Sequence, residues 1–234
     1  MERKTALRCL ATAVALLSTP ARALADSRNL TVVELFQSQG CSSCPPANAN
    51  VIALSDRSDL LTLSFGVTYW DELGWKDTFA SPQYTDRQWD YARAFRRGEV
   101  FTPEVVVNGR ADVVGRDRQE LEDLIRREPA SVNAPAISVA NGQVRIGASD
   151  GQVTAADVWL VRYDPSIELV PVARGENGGR TLPHKNVVKE LVRLGSWFGK
   201  AETIRIPQST RSELRDAVLV QQGPGGVILA AARN

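Results

Sequence analysis

The stretch LTVVELFQSQGCSSCPP, residues 30–46, constrains this chain more than any other. Its first seven residues form an apolar run of the length of a buried strand. Its last two, Pro45 and Pro46, suit the first turn of a helix, where a missing N–H costs nothing. Passing from buried strand to helix over so few residues is the pattern of an α/β layer, and the segments that follow keep the alternation. Alanine, leucine and isoleucine at helical spacing predict a helix from Pro45 to Ser55, and LLTLSFGV predicts a second strand over Leu60–Val67. A second helix is expected over Gln83–Arg96. In EVVVNGRADVVG, Asn108-Gly109 between valine-rich runs predicts a tight hairpin. DRQELEDLIRR supplies a last helix, opened by Asp117 and Glu120 near the positive end of its dipole. The expected order over residues 29–129 is β-α-β-α-β-β-α.

Composition changes around Pro129–Pro135, which predicts a boundary there. Downstream, AISVANG, QVRIGAS, DVWLVRYD, IELVPVARG, ETIRIP, AVLVQQ and GVILAAAR are short, β-rich and separated by Gly, Pro or Asn turns. They predict a mainly antiparallel, sandwich-like β domain over residues 135–234. HKNVVKELVRLGSW fits helix or strand, and its β-branched start favours strand.

The compartment follows from the N-terminus. Arg3, Lys4 and Arg8 precede an apolar core from Cys9 to Leu17 and small residues at Ala23 and Ala25, the pattern of a secretory signal peptide over residues 1–25. That core is far shorter than the ~20 residues needed to span a bilayer, so no stable membrane insertion is expected once it is cleaved. The expected location is periplasmic or secreted. Lys and Arg total 28 against 27 Asp and Glu, a balance that gives no argument for nucleic acid as a partner, and none is expected.

Removal of the signal peptide takes Cys9 and leaves Cys41 and Cys44 as a pair in an oxidising compartment, where thiols form disulfides. Three chemistries fit the pair: a redox couple, a metal clip and a structural disulfide. A structural zinc site needs four ligands, and His184 is the single histidine of the chain; Cu(I) on two thiolates would find no methionine beyond Met1. No metal and no cofactor are expected. At the opening of a helix, unpaired N–H groups and the helix dipole lower a thiol's pKa from ~8.5 to roughly 3.5–7.5. An exposed Cys41 would then be the nucleophile, and Cys44, one turn in and more buried, would resolve the mixed disulfide.

Together, VVELFQSQGCSSCPPAN, TYWDELGWKDTFASPQY and FTPEVVVNG resemble a family of exported bacterial thioredoxin-like proteins without an assigned function, within the thioredoxin superfamily. The resemblance continues through RGENGGRTLPHKNVV and so covers nearly the whole mature chain. It implies a thioredoxin-like fold for the first half, Cys41 as nucleophile and Cys44 as resolving thiol. It also implies that Thr102 and Pro103 sit where a cis-proline faces the cysteines and aligns a substrate strand. The implied partners are a thiol or disulfide of exported proteins, or a small thiol, together with a redox partner of unknown identity. Gly40 stands where a tryptophan usually precedes the first cysteine, and Ser42-Ser43 replaces Gly-Pro, so the direction of electron flow is open. The alternative is a non-catalytic binding module with a structural Cys41–Cys44 disulfide.

Other residues have two readings each. Glu34, on the strand leading to Cys41, is a candidate proton relay for Cys44 or a solvent-facing glutamate. Tyr69, Trp70 and Trp75, with Asp71 and Asp77, would form a substrate-binding wall or simply pack a loop. His184 lies in a basic, turn-like stretch and reads as a surface or hydrogen-bonded side chain. GENGGR, residues 175–180, lacks the strand-to-helix setting and lysine of a phosphate cradle and reads as a hairpin loop.

Overall fold

A computed structural model of the protein describes residues 29–149, 151 and 155–234; the expected signal peptide lies outside the described residues. β1 (Thr31–Gln37) and β2 (Leu60–Gly66) are buried at every position and pair in parallel, from Thr31 with Leu60 to Gln37 with Gly66. Parallel neighbours need a crossover, and α1 (Cys44–Leu54) provides it, with prolines in its first turn and Ala47, Val51 and Leu54 on its buried face. After a 3-10 turn at Asp71–Leu73 comes α2 (Pro82–Ala94). β3 (Glu104–Val107) runs antiparallel to β1, and β4 (Ala111–Val113) closes the predicted hairpin, with Asn108 and Gly109 at φ of 50° and 63°. α3 (Arg118–Arg127) is capped by Asp117, whose Oδ1 accepts from the N–H groups of Gln119 (2.7 Å) and Glu120 (3.1 Å). The element order expected over residues 29–129 is the one observed.

Strand alternation sorts two cores onto opposite faces of this layer. Val33 and Leu35 pack with Val51 and Leu54 of α1 and with Leu121, Leu124 and Ile125 of α3. Val32, Phe36, Leu61 and Phe65 face Tyr84 and Tyr91 of α2.

The second half forms β5 (Ile137–Ala140), β6 (Gln143–Ile146), β7 (Ala156–Pro171), β8 (Thr181–Trp197), β9 (Glu202–Arg205), β10 (Arg215–Gln221) and β11 (Ile228–Arg233). Every β-rich segment identified in the sequence is a strand, and HKNVVKELVRLGSW lies within β8. DVWLVRYD and IELVPVARG merge into the single strand β7, irregular between Asp164 and Ile167.

The strands of the second half are mainly antiparallel, as expected, but four of them continue the sheet of the first half instead of pairing only among themselves. One eight-stranded sheet has the order β11-β10-β7-β8-β2-β1-β3-β4, while β5, β6 and β9 form a small second sheet. The protein is thus mixed α/β, with a large, mostly antiparallel sheet and a small one packed over part of it. The seam is β8 against β2, a parallel pairing at Ser64 and Val187. Asn186, at φ 52°, reinforces it by donating from Nδ2 to the carbonyl (3.0 Å) and hydroxyl (2.8 Å) of Thr62. β2 carries alternating faces that are both buried, so its free edge needs a partner as much as its faces do, and the second half supplies one.

Candidate functional site

Cys41 and Cys44 are joined as a disulfide, their Cα atoms 5.4 Å apart, at the point where β1 gives way to α1. Cys44 is the first residue of α1, with Pro45 and Pro46 following, and its N–H donates to the Cys41 carbonyl (3.2 Å). The expectation of an exposed Cys41 is corrected: Cys41 is 0% and Cys44 1% accessible. Two sets of groups hold the segments around them.

The first set contains the residues picked out from the sequence. Thr102–Pro103 is a cis peptide bond on the approach to β3. Ser43 Oγ lies 3.3 Å from Cys41 Sγ and donates to the Thr102 carbonyl (3.4 Å), which joins the cysteine turn to that loop. Trp70 Nε1 donates to Thr102 Oγ1 (2.7 Å) and Trp75 Nε1 to Gln39 Oε1 (2.9 Å), so both tryptophans hold segments that flank the disulfide. The loop is also anchored by Gln88 of α2, which donates to the Phe101 carbonyl (2.7 Å) and to Glu104 Oε2 (2.6 Å) and accepts from the Tyr69 hydroxyl (3.2 Å). Asp77 is buried and takes the N–H groups of Gln39 and Phe79, each at 2.7 Å; burial raises its carboxyl pKa.

The second set comes from far along the chain. The loop between β7 and β8, the GENGGR segment, folds over the cysteine turn. Buried Asn177 donates through Nδ2 to the carbonyls of Gln39 (2.9 Å) and Cys41 (2.8 Å), and Glu176 Oε2 accepts from Ser42 N–H (3.0 Å). Hydrogen bonding from the Ser42 side chain and backbone holds the Glu176 carboxyl below its ordinary pKa. Gly175 backs onto Trp75 so closely that a Cβ there would stand 3.3 Å from the tryptophan's own Cβ. The sequence reading of this segment as a hairpin loop matches its connection of β7 to β8; its contact with the cysteines left no local trace.

Glu34 is not brought to the disulfide. Gln37 reaches α1, bonding Asn48 Oδ1 at 3.2 Å, so Glu34, an odd number of residues earlier on β1, points to the opposite face. There it is fully buried and bound by Arg87 through Nε (2.8 Å) and Nη2 (3.2 Å), with Tyr91 donating a short hydrogen bond to it. Gln221 of β10 completes the cluster, accepting from Arg87 Nη1 (2.9 Å) and donating to Tyr91 Oη (3.0 Å). The glutamate is neither solvent-facing nor a relay; it is half of a buried ion pair.

His184 of β8 lies on the α1 side of the sheet, near Cys44. It is 2% exposed, so of the two readings, surface or hydrogen-bonded, the second is the one found, and with Cys44, Gln37, Asn48 and Pro183 it lines a cavity of about 30 Å³. Its Nδ1 lies 3.3 Å from Gln37 Nε2, and its Nε2 has no hydrogen-bond partner among the described residues. Burial, aided by nearby Lys189, lowers its pKa to about 4.

No curated protein matches this chain. A crystal structure of a protein from Agrobacterium tumefaciens, determined by a structural genomics consortium, is similar to it: 34% identity, a TM-score of 0.71, and coverage of 87% of this chain and 92% of that one. Among the described residues no helix is long and apolar enough to cross a membrane. The family model described as "Protein of unknown function (DUF1223)" matches residues 32–221, most of the chain, and the protein belongs to that family.

Proposed function

We propose that the protein is an exported thiol–disulfide oxidoreductase that works through Cys41 and Cys44 on a thioredoxin-like first half. The observation that carries this reading is the disulfide at the N-terminus of α1, joined through Ser43 to the Thr102–Pro103 loop. Cys41 lies in the turn that leads into α1, where the positive end of the helix dipole would stabilise thiolate character and make its sulfur a good leaving group. In the reaction, a substrate thiolate attacks Cys41 Sγ as the Cys41–Cys44 bond breaks, and Cys44 leaves as a thiolate and takes a proton. A second substrate thiol, deprotonated, then attacks its partner sulfur and releases Cys41. The substrate is oxidised by two electrons to a disulfide and the couple is left as two thiols; the reverse sequence reduces a substrate disulfide.

A second reading has its own support. Both sulfurs are buried, as in a structural disulfide within a binding module. The readings separate on trapping: Cys44→Ala should accumulate mixed disulfides through Cys41 in the exported compartment. Absence of any such adduct, with a reduction potential for the wild-type couple below about −300 mV, would favour the structural disulfide.

A further inference from the structure

The cover over the disulfide is made from peptide-like groups. The Asn177 carboxamide presents N–H bonds to the carbonyls of Gln39 and Cys41, and the Glu176 carboxylate presents an oxygen to Ser42 N–H. These are the donors and acceptor that a neighbouring stretch of backbone would offer the same three residues. Asn177 itself is 0% exposed, with Oδ1 accepting from Arg180 Nη1 at 2.6 Å, while Glu176, Gly178, Gly179 and Arg180 around it are exposed. The tip is thus pinned at one side chain inside an otherwise solvated loop.

Resting on the oxidoreductase reading, we propose that Glu176 and Asn177 stand in for the substrate, and that the substrate is an extended polypeptide segment carrying the thiol or disulfide. Cys41 is 0% accessible with the tip bound to its carbonyl, so in this proposal exchange requires the tip to leave. A thiol without backbone amides gives nothing in return for the three hydrogen bonds that are lost. An extended segment restores them with its own N–H and C=O groups as it delivers its sulfur, in the manner of strand addition. Asn177 is then the residue that sets specificity: it excludes small thiols and yields to polypeptide.

The test uses the full mature chain with its disulfide formed. Second-order exchange rates are measured with an unstructured peptide containing one cysteine and with 2-mercaptoethanol, each normalised to its rate with oxidised glutathione as an open disulfide. The peptide is expected to be favoured by about tenfold, or ~1.4 kcal/mol, and Asn177→Ala to remove that preference by accelerating 2-mercaptoethanol about tenfold. Arg180→Ala, at an exposed position that steadies Asn177, should shift the ratio the same way and serves if the asparagine variant fails to fold. Equal normalised rates in the wild type, or a preference that neither substitution alters, would overturn the proposal. Failure of the oxidoreductase reading is a separate outcome: no adduct trapped through Cys41 in the exported compartment, with the rate preference intact in vitro.

Discussion

At the scale of single residues, the site is governed by burial. His184 is held neutral by loss of solvent, with its pKa lowered to about 4, whereas in the unfolded chain it titrates near 6.5. Between those values the unfolded chain binds the extra proton, so stability rises with pH through that window and falls on acidification. The two-and-a-half-unit gap corresponds to roughly 3 kcal/mol, present above pH 6.5 and lost as pH falls to about 4. Urea unfolding at pH 7 and pH 4.5 measures it, and His184→Gln should flatten the difference; an unchanged slope in that variant would rule the histidine out as its source. Asn177 and His184 also mark what local pattern does not carry. Asn177 and Cys41 are 136 positions apart, and nothing in GENGGR itself indicates that its asparagine meets a disulfide. Glu34 shows the converse: strand alternation specifies two faces, and only packing decides which of them holds α1.

At the scale of elements, the prolines of α1, the Asp117 cap of α3 and the Asn108-Gly109 turn act where the sequence places them, because each depends on backbone conformation within a few residues. The hairpin turn has a long-range role as well. A Cβ on Gly109 would run into the carbonyl oxygen of Gly226, in the β10–β11 turn, and the Ile228 N–H donates to the Asn108 carbonyl (2.9 Å). Gly109→Ala therefore meets both a positive φ and a backbone contact. It should destabilise the fold by more than about 1 kcal/mol, measured by urea unfolding. A loss much smaller than this would mean that the two turns do not press together in solution.

At the scale of the whole molecule, the continuous sheet and the Glu34–Arg87–Tyr91–Gln221 cluster couple the two halves of the chain. The cluster joins β1, α2 and β10, and the Glu34 charge keeps Arg87 ionised, with a raised pKa against the pull of burial. Arg87→Ala would leave a carboxylate buried without its partner, at a cost of about 3–5 kcal/mol, and replacing Glu34 with Gln as well should recover part of it. Because the cluster spans both halves, tryptophan fluorescence and far-UV circular dichroism should shift together in this variant. Two separated transitions would show that the halves unfold independently.

Local pattern was enough for the β-α-β-α-β-β-α order, for most strands of the second half and for the placing of two cysteines at a strand-to-helix junction. Each is written in periodicity, turn chemistry and capping, which act over one or two turns of chain. That β8 completes the edge of β2, that Glu34 pairs with Arg87, and that the β7–β8 tip hydrogen-bonds the cysteine turn are outcomes of long-range packing. Those outcomes depend on which distant surfaces bury one another, and a hydrophobic pattern records that a face must be covered without recording by what.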